Sequence, residues 1–140
     1  FTILERVFMT DPNPIKPYLI NAVLDYCRDN AATPYLLVDV DDACHVPMEY
    51  VRDGRIVFDI SDEATNRLEV SYTGVSFQGR FGENNDIFEV YVPLNRIAAV
   101  TPIEYQEFAL AFPVTESEPE QKAEDTPSAP VTPRRPMRVK

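Results

Sequence analysis

The chain has 140 residues, 44% of them hydrophobic, and 23 acidic against 13 basic side chains give a formal net charge of -10. That length holds one ordinary domain with a core of its own, and the negative balance repels a polyanion, which excludes nucleic acid as the expected partner. No run approaches the ~20 consecutive apolar residues of a membrane helix, and no basic segment leads an apolar stretch to a small-residue cleavage site, so a soluble cytoplasmic protein with no membrane partner is expected.

Residues 1–13 form an N-terminal segment in which Met9 opens MTDPNPIKPY, a natural start, with residues 1–8 expected to lie upstream of it. From Pro14 to Asn30 the pattern is helical. Tyr18, Leu19, Ala22, Val23, Tyr26 and Cys27 recur at spacings of three and four, which puts them on one stripe; Ile20 and Leu24 widen it, and Asn21, Asp25 and Arg28 mark the polar face. Pro14 or Pro17 suits a first turn, and Asn30 is a stop signal. So much apolar surface on one helix is either shared with a second copy or spent on the core.

After Pro34 the period shortens. YLLVDV, RIVFDI, RLEVSY, VSFQGRF, DIFEVYVPL and IAAVTPIEY are β-branched and aromatic runs, separated by turn signals at intervals of roughly ten residues. SDEATN and PLNRI each suit a single helical turn. The fold class expected over residues 14–112 is therefore mainly β with one N-terminal α-helix, a small antiparallel barrel or sandwich. At Pro113 the composition breaks to Pro, Glu, Ser, Thr, Ala and Lys, which cannot bury enough apolar surface to offset ordering entropy. Residues 113–133 are accordingly expected to be a disordered acidic and Pro-rich linker. The last seven residues, Arg134, Arg135, Pro136, Met137, Arg138, Val139 and Lys140, form a basic end with no acid.

Catalytic signals are few. LLVDVDD places Asp39, Asp41 and Asp42 at a strand end, as in phosphotransferases that use a strand-end Asp with magnesium, but no alternating strand–helix pattern follows to build their parallel sheet. His45 is the one histidine, and adjacent Cys44 points to the opposite face of a strand, so the two make no dyad. Cys27 and Cys44 have neither CxxC spacing nor a second pair, and read as structural thiols of a reducing compartment. No cofactor, metal site or enzymatic activity is expected. Gly79 differs from Gly54, Gly74 and Gly82 in interrupting a strand, where a bulge or a close backbone approach requires it. VPMEYVRDG begins at Val46 with a proline that belongs at a sheet edge, and its alternation of Met48, Tyr50 and Val51 with Glu49 and Arg52 suits an edge against which an extended peptide lies.

PYLLVDV, VPMEYVRDGRIVFDIS and FQGRFG, together with the helix KPYLINAVLDYCRDN, resemble in order and spacing the blocks of the SspB family, the specificity-enhancing factors of the ClpXP protease. The likeness runs from Lys16 to Ile103 and resumes at the end of the tail. It implies an adaptor with an Sm-like β-domain, a homodimer joined through the N-terminal helix at Tyr18, Leu19, Ala22, Val23 and Tyr26, and a groove for the ssrA degradation tag. Carried onto this chain, that groove draws on Met48, Glu49, Tyr50, Val51 and Arg52, and on Phe77, Gln78, Gly79, Arg80 and Phe81. Tyr50, Phe77 and Phe81 supply apolar walls, and Arg52 or Arg80 pairs with acidic groups of the tag. The family often has alanine where Gly79 stands. RPMRVK resembles the family's ending, commonly Arg-Pro-x-Leu-x-Val-Val-Lys, which docks on the N-terminal domain of ClpX; Met137 stands near the leucine and one valine is missing. As a flexible chain, residues 113–133 span roughly 25 Å root-mean-square. Two other readings stand beside the adaptor: a small magnesium-dependent phosphatase at Asp39 and Asp41, and an Sm-like RNA-binding module, which the acidic charge balance opposes.

Overall fold

The computed structural model describes residues 12–117. Helix α1 spans Lys16–Asp29, with proline in its first turn and no side-chain cap at Ile15. It stops where Asn30 returns its backbone N–H to the carbonyls of Tyr26 and Cys27, and Ala31 takes a left-handed φ of 54°. The buried stripe is Pro17, Ile20, Val23, Leu24 and Cys27. The core-facing line is thus offset from the one that spacing picks out: Val23 and Cys27 face inward, whereas Tyr18, Ala22 and Tyr26 are exposed.

The strands are β1 (Pro34–Asp39), β2 (Arg55–Asp59), β3 (Asn66–Val70), β4 (Gly74–Phe81), β5 (Asp86–Pro93), β6 (Ile97–Pro102) and a short β7 (Leu110–Ala111). They form two antiparallel sheets, in the orders β2–β1–β6–β7 and β3–β4–β5. Mainly β architecture with one N-terminal helix is what the sequence predicts, but among the described residues the sheets do not close into a barrel. Alternation positions the core, since β1 and β2 each bury every second residue. Leu36, Val38, Ile56, Phe58, Val75, Phe77, Val90, Val92, Ile97 and Val100 join the helix stripe in one cluster that both sheets share.

Three local outcomes differ from the sequence pattern. Around Pro47 there is no edge strand: Tyr50 donates its N–H to Pro47 and Val51 to Met48, so Met48–Tyr50 is a 3₁₀ turn. Pro47 has no N–H for a ladder, and the local bonds satisfy its neighbours instead. The chain then reverses through Asp53 and Gly54, both at positive φ, while Arg52 and Arg55 exchange backbone hydrogen bonds across the turn. Beyond β6, a 3₁₀ turn at Gln106–Phe108 and β7 stand where sequence spacing marks only the end of a strand. Single turns do occur at Ser61–Thr65 and at Leu94–Arg96, as expected.

Ile20 is fully buried against the sheets. Ile20→Ala is predicted to lower unfolding free energy by about 2–5 kcal/mol, measured by urea denaturation; a loss under about 0.5 kcal/mol, the range of surface substitutions, would show that this face of the helix is not core.

Candidate functional site

The two blocks singled out in the sequence meet through aromatic rings. Tyr50, on the 3₁₀ turn, lies 5.9 Å from Phe81 at the end of β4. Phe81 in turn touches Phe58 of β2 and Phe88 of β5, each at 6.2 Å and edge to face. Beneath them Phe58 and Phe77 make a T-shaped contact at 5.3 Å that joins the two sheets. Such pairs are worth about 0.5–1.5 kcal/mol beyond the area they bury.

Beside this cluster opens a groove of about 530 Å³, bounded by Leu37, Tyr50, Val57 and Phe81 with Arg52 and Arg55 at its polar side. Val57 is 53% exposed, a β-branched side chain offered to solvent between buried Ile56 and Phe58. Ile60 donates its N–H to Pro34 and Val40 donates to Gly54. By antiparallel alternation, the backbone N–H and C=O of Val57 therefore point away from β1. Among the described residues β2 is an edge strand. Apolar walls, guanidinium groups and a sheet edge with unused backbone groups together suit an extended peptide.

The ten residues assigned to the groove do not share one surface. Tyr50, Arg52 and Phe81 line it. Phe77 is buried below, Gly79 lies behind the Phe81 ring, and Val51 packs half-buried on the core. Met48 and Glu49 are exposed on the same turn as Tyr50. Gln78 and Arg80 point to the other face of β4, as strand alternation requires, and with Gly79 between them border a second groove of about 380 Å³ beside Asn66 and Ile87. There Asn66 donates to Gln78, and Gln78 to Glu89, in a polar ladder. Leu37, Arg55 and Val57 escape sequence reasoning because strand pairing, rather than proximity in the chain, brings them to the site; the exposed valine in β2 is the one local signal.

Arg52 closes its own loop by donating from Nη1 to the carbonyls of Glu49 and Val51, at 2.8 and 3.0 Å. The strand-end aspartates are likewise engaged. Asp39 Oδ1 stands 2.8 Å from Arg55 Nε in an ion pair that lacks hydrogen-bond geometry. Asp41 pairs with Arg96 at 3.3 Å and accepts the N–H of Ala43. Burial works to raise the Asp41 pKa, but hydrogen bonds from Ser117 and Ala43 and the charge of Arg96 outweigh it and hold the carboxyl below the ordinary aspartate range. Arg96 also donates to Asp39 O and Thr115 O, and Asn95 to Thr115 O and Ser117 Oγ. Residues 113–117, counted with the linker by composition, are thus hydrogen-bonded to the domain at Thr115 and Ser117.

On the outer face of α1, Tyr18 stacks on Tyr72 at 6.2 Å, and their hydroxyls are 3.1 Å apart. Toward the other end Tyr26 meets Tyr105 and Phe108 edge to face. All five rings are more than a third exposed, and Leu19 and Ala22 lie between the two groups in sequence while Val23 turns into the core. Residues 134–140 lie outside the described residues. No helix among the described residues is long and apolar enough to cross a membrane.

The family model for stringent starvation protein B matches residues 14–137. The chain is also similar to a stringent starvation protein B homolog of Haemophilus influenzae, 38% identical over 89 residues, which are 63% of this chain and 58% of that protein. It therefore spans rather more than half the length of that relative.

Because the folded Asp41 pKa is depressed, its contribution to stability is full above the unfolded value of about 3.9 and disappears as pH falls through the folded value. Asp41→Asn is predicted to cost about 1–2 kcal/mol at pH 7, with the difference from wild type closing below about pH 4. Urea titrations across pH check this; a gap unchanged down to pH 2 would contradict the role of the charge.

Proposed function

The chain belongs to the stringent starvation protein B family, and on that premise we propose that it is a delivery adaptor, which binds ssrA-tagged proteins in the groove beside Tyr50 and Phe81 and tethers them to ClpX for degradation by ClpXP. The observation that carries this reading is the meeting of the two sequence blocks at an open apolar groove beside the free edge of β2. An extended tag gains main-chain hydrogen bonds at the Val57 edge, apolar contact with Tyr50 and Phe81, and charge complementarity from Arg52. The adaptor turns over no substrate itself and needs no cofactor.

Arg134, Arg135, Pro136, Met137, Arg138, Val139 and Lys140 are the peptide proposed to dock on the N-terminal domain of ClpX, with Met137 and Val139 as apolar anchors. A tether of this kind raises the local concentration of bound substrate to the order of millimolar, so that weak docking suffices. Two tails in a homodimer act together. The dimer is proposed to form through the outer face of α1, at Tyr18, Leu19, Ala22 and Tyr26, with the aromatic side chains of Tyr105 and Phe108 extending that surface.

Degradation of a limiting concentration of ssrA-tagged fluorescent protein by purified ClpXP tests the reading. Acceleration is expected with the full chain and not with a chain ending at Pro133. Failure of the full chain both to accelerate degradation and to bind the tag would overturn it. Separately, Tyr26→Asp is predicted to shift the sedimenting species from dimer to monomer, and a variant still dimeric at micromolar concentration would remove this helix face from the interface.

A further inference from the structure

Gly79 sits in the middle of β4, directly opposite Phe88 of β5 in an uninterrupted register. Its backbone is not in the left-handed region, unlike that of Gly54 and Gly82. Conformational freedom is therefore not what places glycine here. The space around it accounts for the choice. A Cβ built on Gly79 stands 3.0 Å from Cε2 and Cζ of Phe81 and 3.4 Å from Cε2 of Phe77. Phe77, Gly79 and Phe81 share one face of the strand, and the missing side chain leaves a notch into which the Phe81 ring leans back along β4. Gly74 is the contrast: a Cβ there meets the Val92 carbonyl at 2.4 Å, so that glycine is required by backbone packing, whereas the neighbours of Gly79 are side-chain ring carbons.

Phe81 meets Phe58 and Phe88 edge to face, packs on Tyr50 and lines the groove. A ring forced out of the notch by a few tenths of an ångström, as contact at 3.0 Å requires, moves toward the groove. We infer that Gly79 is a specificity-determining positioning residue: by letting the Phe81 ring lie against β4 it widens the groove and admits a bulky, aromatic side chain of the bound peptide. This rests on the groove being the peptide site. It adds that the ligand class is set through the ring that Gly79 positions.

Two measurements test it. The first needs no ligand. The ring current of a phenyl group in contact with the Gly79 Cα displaces its proton resonances, so Phe81→Leu is expected to move a Gly79 Hα resonance toward the ordinary glycine range. An Hα at ordinary shift, unmoved by that substitution, would overturn the inference. In the second, fluorescein-labelled ssrA-tag peptides carrying Tyr or Ala at one position at a time are titrated into wild type and Gly79→Ala. At one position the preference for Tyr over Ala is expected to fall about tenfold in the variant. Unchanged Tyr-to-Ala ratios at every position, in a variant whose thermal unfolding shows it folded, would overturn the inference and leave the adaptor reading standing. Absence of binding of any peptide by wild type would remove that reading and the specificity role with it.

Discussion

Phe58 and Phe77 cross from one sheet to the other, and the shape of the candidate site depends on that contact. Each ring is nearly fully buried, each belongs to a strand with a different sheet's hydrogen-bond ladder, and no ladder joins β2 to β4. Side-chain packing is what sets the separation of the two sheets here. Above the contact, Phe81 and Tyr50 continue the same column of rings toward solvent. Aromatic rings are stiff, with two rotatable bonds each, so a wall built from them keeps its shape without a ligand. The groove is in this sense a by-product of how the core closes at one end of the sheets.

Polar groups do corresponding work at the strand ends. Asp41 orders its own turn through Ala43, pairs with Arg96, and receives hydrogen bonds from Ser117. Arg96 reaches Asp39 and Thr115 as well. One carboxylate and one guanidinium thus connect the turn that leads into the Met48–Tyr50 segment with Thr115 and Ser117 at the end of the described residues. A phosphotransferase reading of Asp39 and Asp41 loses its footing in the same arrangement: each carboxylate faces an arginine, and both sheets are antiparallel.

Much of this was legible in the residues, for a physical reason in each case. Alternation in RIVFDI and VSFQGRF marks half-buried strands, and β2 and β4 have those patterns. The helix was legible too, but not which of its faces turns inward: Tyr18, Leu19, Ala22 and Tyr26 overlap in spacing with Ile20, Val23, Leu24 and Cys27, and only the sheet beneath chooses between them. The sequence around Pro47 predicts a sheet edge, yet bonds from Tyr50 and Val51 close a 3₁₀ turn instead, because local partners compete with a ladder that proline cannot join. Of the groove, the two blocks were visible as sequence; their division between the faces of β4, and the share taken by Leu37, Arg55 and Val57, come from pairings that no short window contains. Tyr105 and Phe108 joined the helix surface for the same reason.

The central claim is that an extended tag lies along the edge of β2 under Tyr50 and Phe81. Titrating ¹⁵N-labelled protein with an ssrA-tag peptide and following amide shifts tests it most directly. Perturbations concentrated at Tyr50, Arg52, Val57 and Phe81 are the predicted result. Shifts confined to Asn66, Gln78 and Arg80, on the far face of β4, would contradict it.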